Sequence, residues 1–272
     1  MNKAEFTSLI LARLQEHEAD IRKQWANPVG TNTRHFIIDD LLPESVAREI
    51  YNAFPKDGNG FFNRDSFREK KRTSAHLSEY EPILANITYA FQDPETVQAV
   101  ADLVSFTQIE PDPTLYAGGL SMMFQGDFLN PHLDNSHDAS RARYRRLNLL
   151  YYVSPDWKLE NGGNFELWDE DCKVNQTLVS KFNRLIVMET NKRSWHSVSQ
   201  VQVDLPRCCV SNYFFSEVSP DPEETEYFHV TSFTGRPDEM GKRAVGAVDN
   251  ALRNTVSKLF RVGRNKDQIN DQ

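Results

Sequence analysis

Apolar residues recur with helical spacing through the first part of the chain, and after Pro113 they gather instead into short runs. Over residues 3–26, Phe6, Leu9, Ile10, Leu14, Ile21 and Trp25 approximate one face, which predicts a single amphipathic helix ended by Asn27 and Pro28. Residues 35–39 read as a short buried strand. A helix follows that starts near Pro43, carries Val46, Ile50 and Phe54 on one face, and stops at Pro55. Residues 56–80 are polar and contain glycine, so a long loop is expected there. Residues 81–103 form a second helical region with Ile83, Ile87, Ala90 and Phe91 inward, broken at Pro94.

Beyond Pro113 the apolar runs are 115–124, 147–153, 164–168, 185–189 and 208–215, separated by turn residues. Their length, spacing and aromatic content predict strands of a β-sandwich or barrel. Helical spacing returns over 242–260 at Val245, Val248, Leu252, Val256 and Leu259. The expected protein is mainly β with flanking helices. Its parts are an N-terminal helical region over 1–112 packed on a β-core over 113–218, and a C-terminal helical extension over 219–272. No linker separates them, so one integrated domain is expected.

Composition narrows the function classes. With 39% hydrophobic and 11% aromatic residues among 272, the chain can build a core. No apolar run approaches the ~20 residues that span a bilayer, and the charged first 27 residues lack a signal peptide's apolar centre. A cytoplasmic protein without a membrane partner is expected. A net charge of −8 argues against a nucleic-acid partner, because phosphate contacts need concentrated positive charge. The three cysteines, Cys172, Cys208 and Cys209, form no CxxC, zinc spacing or disulfide framework, which suits a reducing compartment. Oligomeric state is not indicated.

Candidate chemistry sits inside the β-region, at Pro131-His132-Leu133-Asp134 and at Ser194-Trp195-His196. On a strand, residues i and i+2 face the same side, so His132 and Asp134 can point at one metal with His196 as third ligand. Two imidazoles and a carboxylate leave three octahedral positions open, the ligand set of non-haem Fe(II) oxygenases. Arg207 opens an aromatic strand, and its guanidinium can hold the far end of a dicarboxylate by two parallel bonds. Tyr152 can donate a second bond to the same carboxylate, and strand alternation places Asn148, Leu150 and Tyr152 on one face.

The stretch 126–215 resembles the catalytic core of the Fe(II)/2-oxoglutarate dioxygenases, specifically the prolyl-4-hydroxylase-like branch. The likeness is carried by 126–135 with its H-x-D, by Leu149 to Trp157, by Glu160 to Leu167 with its Gly162-Gly163, and by Asn183 to Ile186 followed by Trp195 to Val198. It implies a double-stranded β-helix (jelly-roll) core. It also implies that His132, Asp134 and His196 form the catalytic iron centre. Arg207 then pairs with the 5-carboxylate of 2-oxoglutarate, with Tyr152, Asn148 and Leu150 as further cosubstrate residues. The keto acid would chelate iron through its 1-carboxylate and 2-keto oxygens, O2 would take the remaining position, and ascorbate is a candidate reductant. The implied reaction hydroxylates an unactivated C–H bond with release of succinate and CO2. Related halogenases replace the carboxylate ligand by a small residue, so a retained Asp134 favours hydroxylation. Phe124 stands where related hydroxylases often carry tyrosine. A peptidyl proline, a free amino acid, a sugar or another metabolite are all compatible substrates.

Two other classes use the same residues: a non-catalytic metal- or ligand-binding jelly roll acting as a sensor, and a zinc hydrolase with the same triad. His137 and Asp138 read as a polar loop near the barrel mouth, and His229 either lines the substrate entrance or caps the helices. Arg141, Arg143, Arg145 and Arg146 read as a solvated strand face, or else, together with Lys70, Lys71 and Arg72, as receivers of an anionic substrate. Cys208 and Cys209 alternate across a strand, and no redox role is expected of them.

Overall fold

The computed structural model describes residues 1–221, 223–224, 226–246 and 249–251. Its first helix, α1 (Lys3–Glu16), opens with a capping box in which the Asn2 side chain and the Glu5 side chain each satisfy the other's backbone N–H. The expected single helix over 3–26 is instead two, because a second helix, α2 (Glu18–Ala26), restarts at His17 with Glu18 and Asp20 in its first turn. Acidic groups favour a helix start, so this polar stretch is a boundary. After β1 (His35–Ile38) comes α3 (Glu44–Ala53). The next segment, expected to be a loop, contains the hairpin β2 (Phe62–Asp65) and β3 (Glu69–Ser74). Pro94 begins rather than merely breaks a helix: α4 (Pro82–Phe91) ends, and α5 (Pro94–Val104) starts behind the capping side chain of Asp93.

Nine further strands follow among the described residues: β4 (Gly119–Met123), β5 (Phe128–Leu133), β6 (Tyr144–Tyr152), β7 (Phe165–Trp168), β8 (Asn175–Leu178), β9 (Arg184–Glu189), β10 (His196–Val198), β11 (Arg207–Ser216) and β12 (Ser232–Phe233). Their order is β1-β9-β6-β11-β4-β3-β5-β10-β7-β8, with β12 added to β5 and β2 to β3. Every pairing is antiparallel. The sheet curls into a half-barrel with helices on its outer face, the double-stranded β-helix. Strand β3 joins its two halves by pairing with both β4 and β5. Gly119 makes that junction possible. It lies at φ +99°, and a Cβ there would come within 2.3 Å of the Ser74 carbonyl oxygen.

Alternation along β6 and β11 divides the interior. Leu147, Leu149, Tyr151, Val210 and Phe214 face the helices and pack with Phe6, Ile10 and Phe91. Leu150, Tyr152 and Cys209 face inward with Ile186, Met188 and Trp157. Fully burying one such large apolar side chain is worth about 1.5–3 kcal/mol, so the helical layer holds the outer face of the barrel. Residues 240–246 are helical, and Val245 is exposed there. Val248, Leu252, Val256 and Leu259 of the expected tail helix lie outside the described residues. Among the described residues, no helix is long and apolar enough to cross a membrane.

Candidate metal and cosubstrate site

Strands β5 and β10 are neighbours, and their register sets His196 opposite His132 with ring centroids 4.1 Å apart. Each ring is oriented by its own strand: His132 Nδ1 lies 3.1 Å from the Asn130 carbonyl oxygen, and His196 Nδ1 lies 2.8 Å from that of Ser194. A carbonyl only accepts, so Nδ1 carries the proton and Nε2 keeps its lone pair. The Nε2 atoms face Asp134, at 3.8 Å from Oδ1 for His132 and 3.7 Å from Oδ2 for His196. All three ligand atoms lie within 4.8 Å of one another.

Protonation states suit a divalent cation. Burial, reinforced by His196, pulls His132 down to about 3, and burial also lowers His196, so both rings are neutral at neutral pH. Burial by itself would raise the Asp134 carboxyl, but Arg145, His196 and His132 override it and hold the group well below the usual carboxylate range. Asp134 Oδ2 is buried with no hydrogen-bond partner. An ionised, orphaned oxygen beside two imidazole lone pairs is costly unless a cation completes it, so the residues fit a metal.

The triad opens into a cavity of about 830 Å³. At one side lies Arg207, 4% exposed, whose Nε donates to Ser180 Oγ at 3.2 Å and whose Nη1 sits 3.5 Å from Met123 Sδ. Among the described residues no carboxylate pairs with it, which leaves a buried guanidinium fork facing the cavity. Asn148 and Leu150 line the same cavity, and Asn148 Oδ1 is buried without a partner. The Tyr152 ring lies under the Arg207 guanidinium at 4.7 Å, outside the cavity lining, and burial pushes its hydroxyl well above the ordinary value. Tyr152 thus packs directly against Arg207.

Several lining residues escape the sequence pattern. Strand β3 presents Glu69, Lys71 and Thr73 to the cavity, with Glu69 held 3.2 Å from Lys71 and 3.7 Å from Arg64. The arginine run is not a solvated face. Arg143 pairs with Asp138 and Glu110, each at 3.0 Å, and Arg146 stacks on Phe106. Arg145 is buried 3.3 Å from Asp134 Oδ1. The cause is a β-bulge: Phe214 pairs with Leu147 but Phe215 with Arg145, so Arg146 is the extra residue and the alternation reverses. His229 lines the cavity with both ring nitrogens buried and does not cap the helices. Phe233 of β12 stacks on His132, with centroids 5.3 Å apart and an 18° interplanar angle. Cys209 lines the cavity, whereas Cys208 faces the helices.

Comparison with known proteins agrees with this geometry. The sequence profile of the 2OG-Fe(II) oxygenase superfamily matches residues 118–215. The prolyl 3-hydroxylase OGFOD1 of Mus musculus is 29% identical over 77 residues, which span 26% of this chain and only 14% of that protein. A Trichoplax adhaerens prolyl hydroxylase, solved with a hypoxia-inducible-factor peptide fragment, superposes with a TM-score of 0.51 at 19% identity over 76% of this chain and 93% of its own. A Pseudomonas putida prolyl-4-hydroxylase gives 0.52 at 15% identity over 72% and 97%. These two likenesses concern the fold. Residues 118–215 thus match the 2OG-Fe(II) oxygenase superfamily, and the half-barrel around them has the fold of the prolyl hydroxylases on which it superposes.

Proposed function

We propose that this chain is a hydroxylase that acts on an unactivated C–H bond, with His132, Asp134 and His196 holding Fe(II) and Arg207 holding the 5-carboxylate of 2-oxoglutarate. The observation that carries the reading is the buried, partnerless Asp134 Oδ2 beside two imidazoles, each turned by a carbonyl at its Nδ1 so that Nε2 faces the carboxylate. Bound iron, 2-oxoglutarate and O2 together supply the oxidant, with succinate and CO2 as products; ascorbate is the proposed reductant. The protein's share is positional. Arg207, braced by Tyr152, fixes one end of the cosubstrate, Asn148 and Leu150 shape its flank, and the inner barrel wall keeps bulk water from the reacting centre.

A peptidyl proline is the first substrate class to test, on the strength of the peptide bound to the Trichoplax enzyme and the activity in the mouse relative's name. The proposed unit is one integrated domain in which 1–112 and the described part of 219–272 support the core at 113–218. Three buried, unpaired cysteines favour a cytoplasmic setting. The test is succinate release coupled to O2 uptake, screened over proline peptides, free amino acids and sugars. The expected result is substrate-stimulated succinate formation that His132→Ala abolishes. Iron-loaded protein that releases no succinate would favour a sensor, and turnover without a keto acid would favour a zinc hydrolase.

A further inference from the structure

Arg145 lies outside the cavity lining yet reaches the metal triad through Asp134. It is 1% exposed, with its guanidinium 4.1 Å over the Tyr213 ring and 5.7–5.9 Å from the rings of Phe215 and Tyr116. Nη1 lies 3.3 Å from Asp134 Oδ1, while Nε and Nη2 are buried with no hydrogen-bond partner. A guanidinium so fully withdrawn from water is unfavourable unless a carboxylate compensates it. Asp112 is the other carboxylate that acts on it, but only from a distance: among the described residues the guanidinium's ion pair is with Asp134 and none forms with Asp112. The two oxygens of Asp134 therefore differ, Oδ1 being held by Arg145 and Oδ2 being left open.

We propose that Arg145 is a positioning residue that pins Asp134 Oδ1 and so limits the carboxylate to coordinating a divalent cation through Oδ2 alone. The inference rests on the metal reading of the triad and goes beyond it. Two imidazoles and one carboxylate oxygen leave three octahedral positions, whereas a chelating carboxylate would take one of those. The β-bulge at Arg146 is what delivers the guanidinium to this spot. Residues that orient a ligand from behind usually set metal affinity by tenfold to a hundredfold.

The test is Co(II) binding to the full chain, read by competition titration and by the visible ligand-field bands. Arg145→Gln should weaken Co(II) at least tenfold and shift the bands, Arg145→Lys should recover part of the affinity, and Asp112→Asn should match wild type. If Arg145→Gln does not fold, the band shift of Arg145→Lys decides the matter. Wild-type affinity and bands in the Arg145 variants, with Co(II) lost in His132→Ala, would overturn this proposal alone. Co(II) binding that His132→Ala leaves intact would overturn the metal reading and this inference together.

Discussion

Arg207 and Glu69 face the same cavity, yet each should fail in its own way when altered. Arg207→Ala removes a charge-assisted pair of about 1.5–3 kcal/mol and should raise the 2-oxoglutarate concentration needed for half-saturation roughly tenfold or more, with metal retention unchanged. Unaltered cosubstrate saturation would refute its assigned role. Glu69 should show in stability instead. Burial would raise its carboxyl, but Lys71 and Arg64 pull it from 4.5 down to about 2. Between those values the unfolded chain binds more protons than the folded one. The stabilisation is therefore complete above about 4.5 and is lost as pH falls through about 2. The difference corresponds to about 3 kcal/mol, and urea unfolding at pH 3 and pH 6 should show the fall in wild type and a flatter response in Glu69→Gln. A variant as acid-sensitive as wild type would contradict this.

Strand β11 separates the two faces of the barrel at the level of an element. Phe214 is fully buried toward the helices, while Arg207 and Cys209 face the cavity. Phe214→Ala should cost about 3–5 kcal/mol in denaturant unfolding and leave metal affinity unchanged; a parallel loss of metal would show that the layers are not independent. The same division explains what the sequence makes legible. Where one face of a strand meets the helices, as at Leu147, Leu149 and Tyr151, apolar alternation marks the element. Strand β3 carries Glu69, Lys71 and Thr73 into a polar cavity, so its pattern resembles a loop although it lies mid-sheet. The meeting of His132, Asp134 and His196 is legible because H-x-D spacing and a second histidine strand are local signals. Arg145 is not legible, because a bulge reverses the alternation by which it would be placed.

Across the whole molecule, one segment from the C-terminal side closes part of the barrel mouth. It is tied down where Ser136 and His229 exchange backbone and side-chain bonds, where Thr234 N–H donates to the Pro131 carbonyl at 2.9 Å, and where Arg236 forks onto Glu166. Arg68 of the hairpin pairs with Asp249, so the two sides of the entrance are joined. Arg236→Ala removes a charged clamp worth about 1–3 kcal/mol, and hydrogen exchange at Phe233 and Thr234 should quicken by tenfold or more while the β6 and β11 amides keep their protection. Equal acceleration throughout would mean that the segment is no separate unit.

The most direct test of the central claim is an anaerobic titration of the full chain with Fe(II) followed by 2-oxoglutarate, monitored in the visible range. A charge-transfer band should appear only when metal and keto acid are both present. It should vanish in His132→Ala and require more 2-oxoglutarate in Arg207→Ala. Saturating Fe(II) and 2-oxoglutarate that yield no band, or a band that survives loss of His132, would contradict the account.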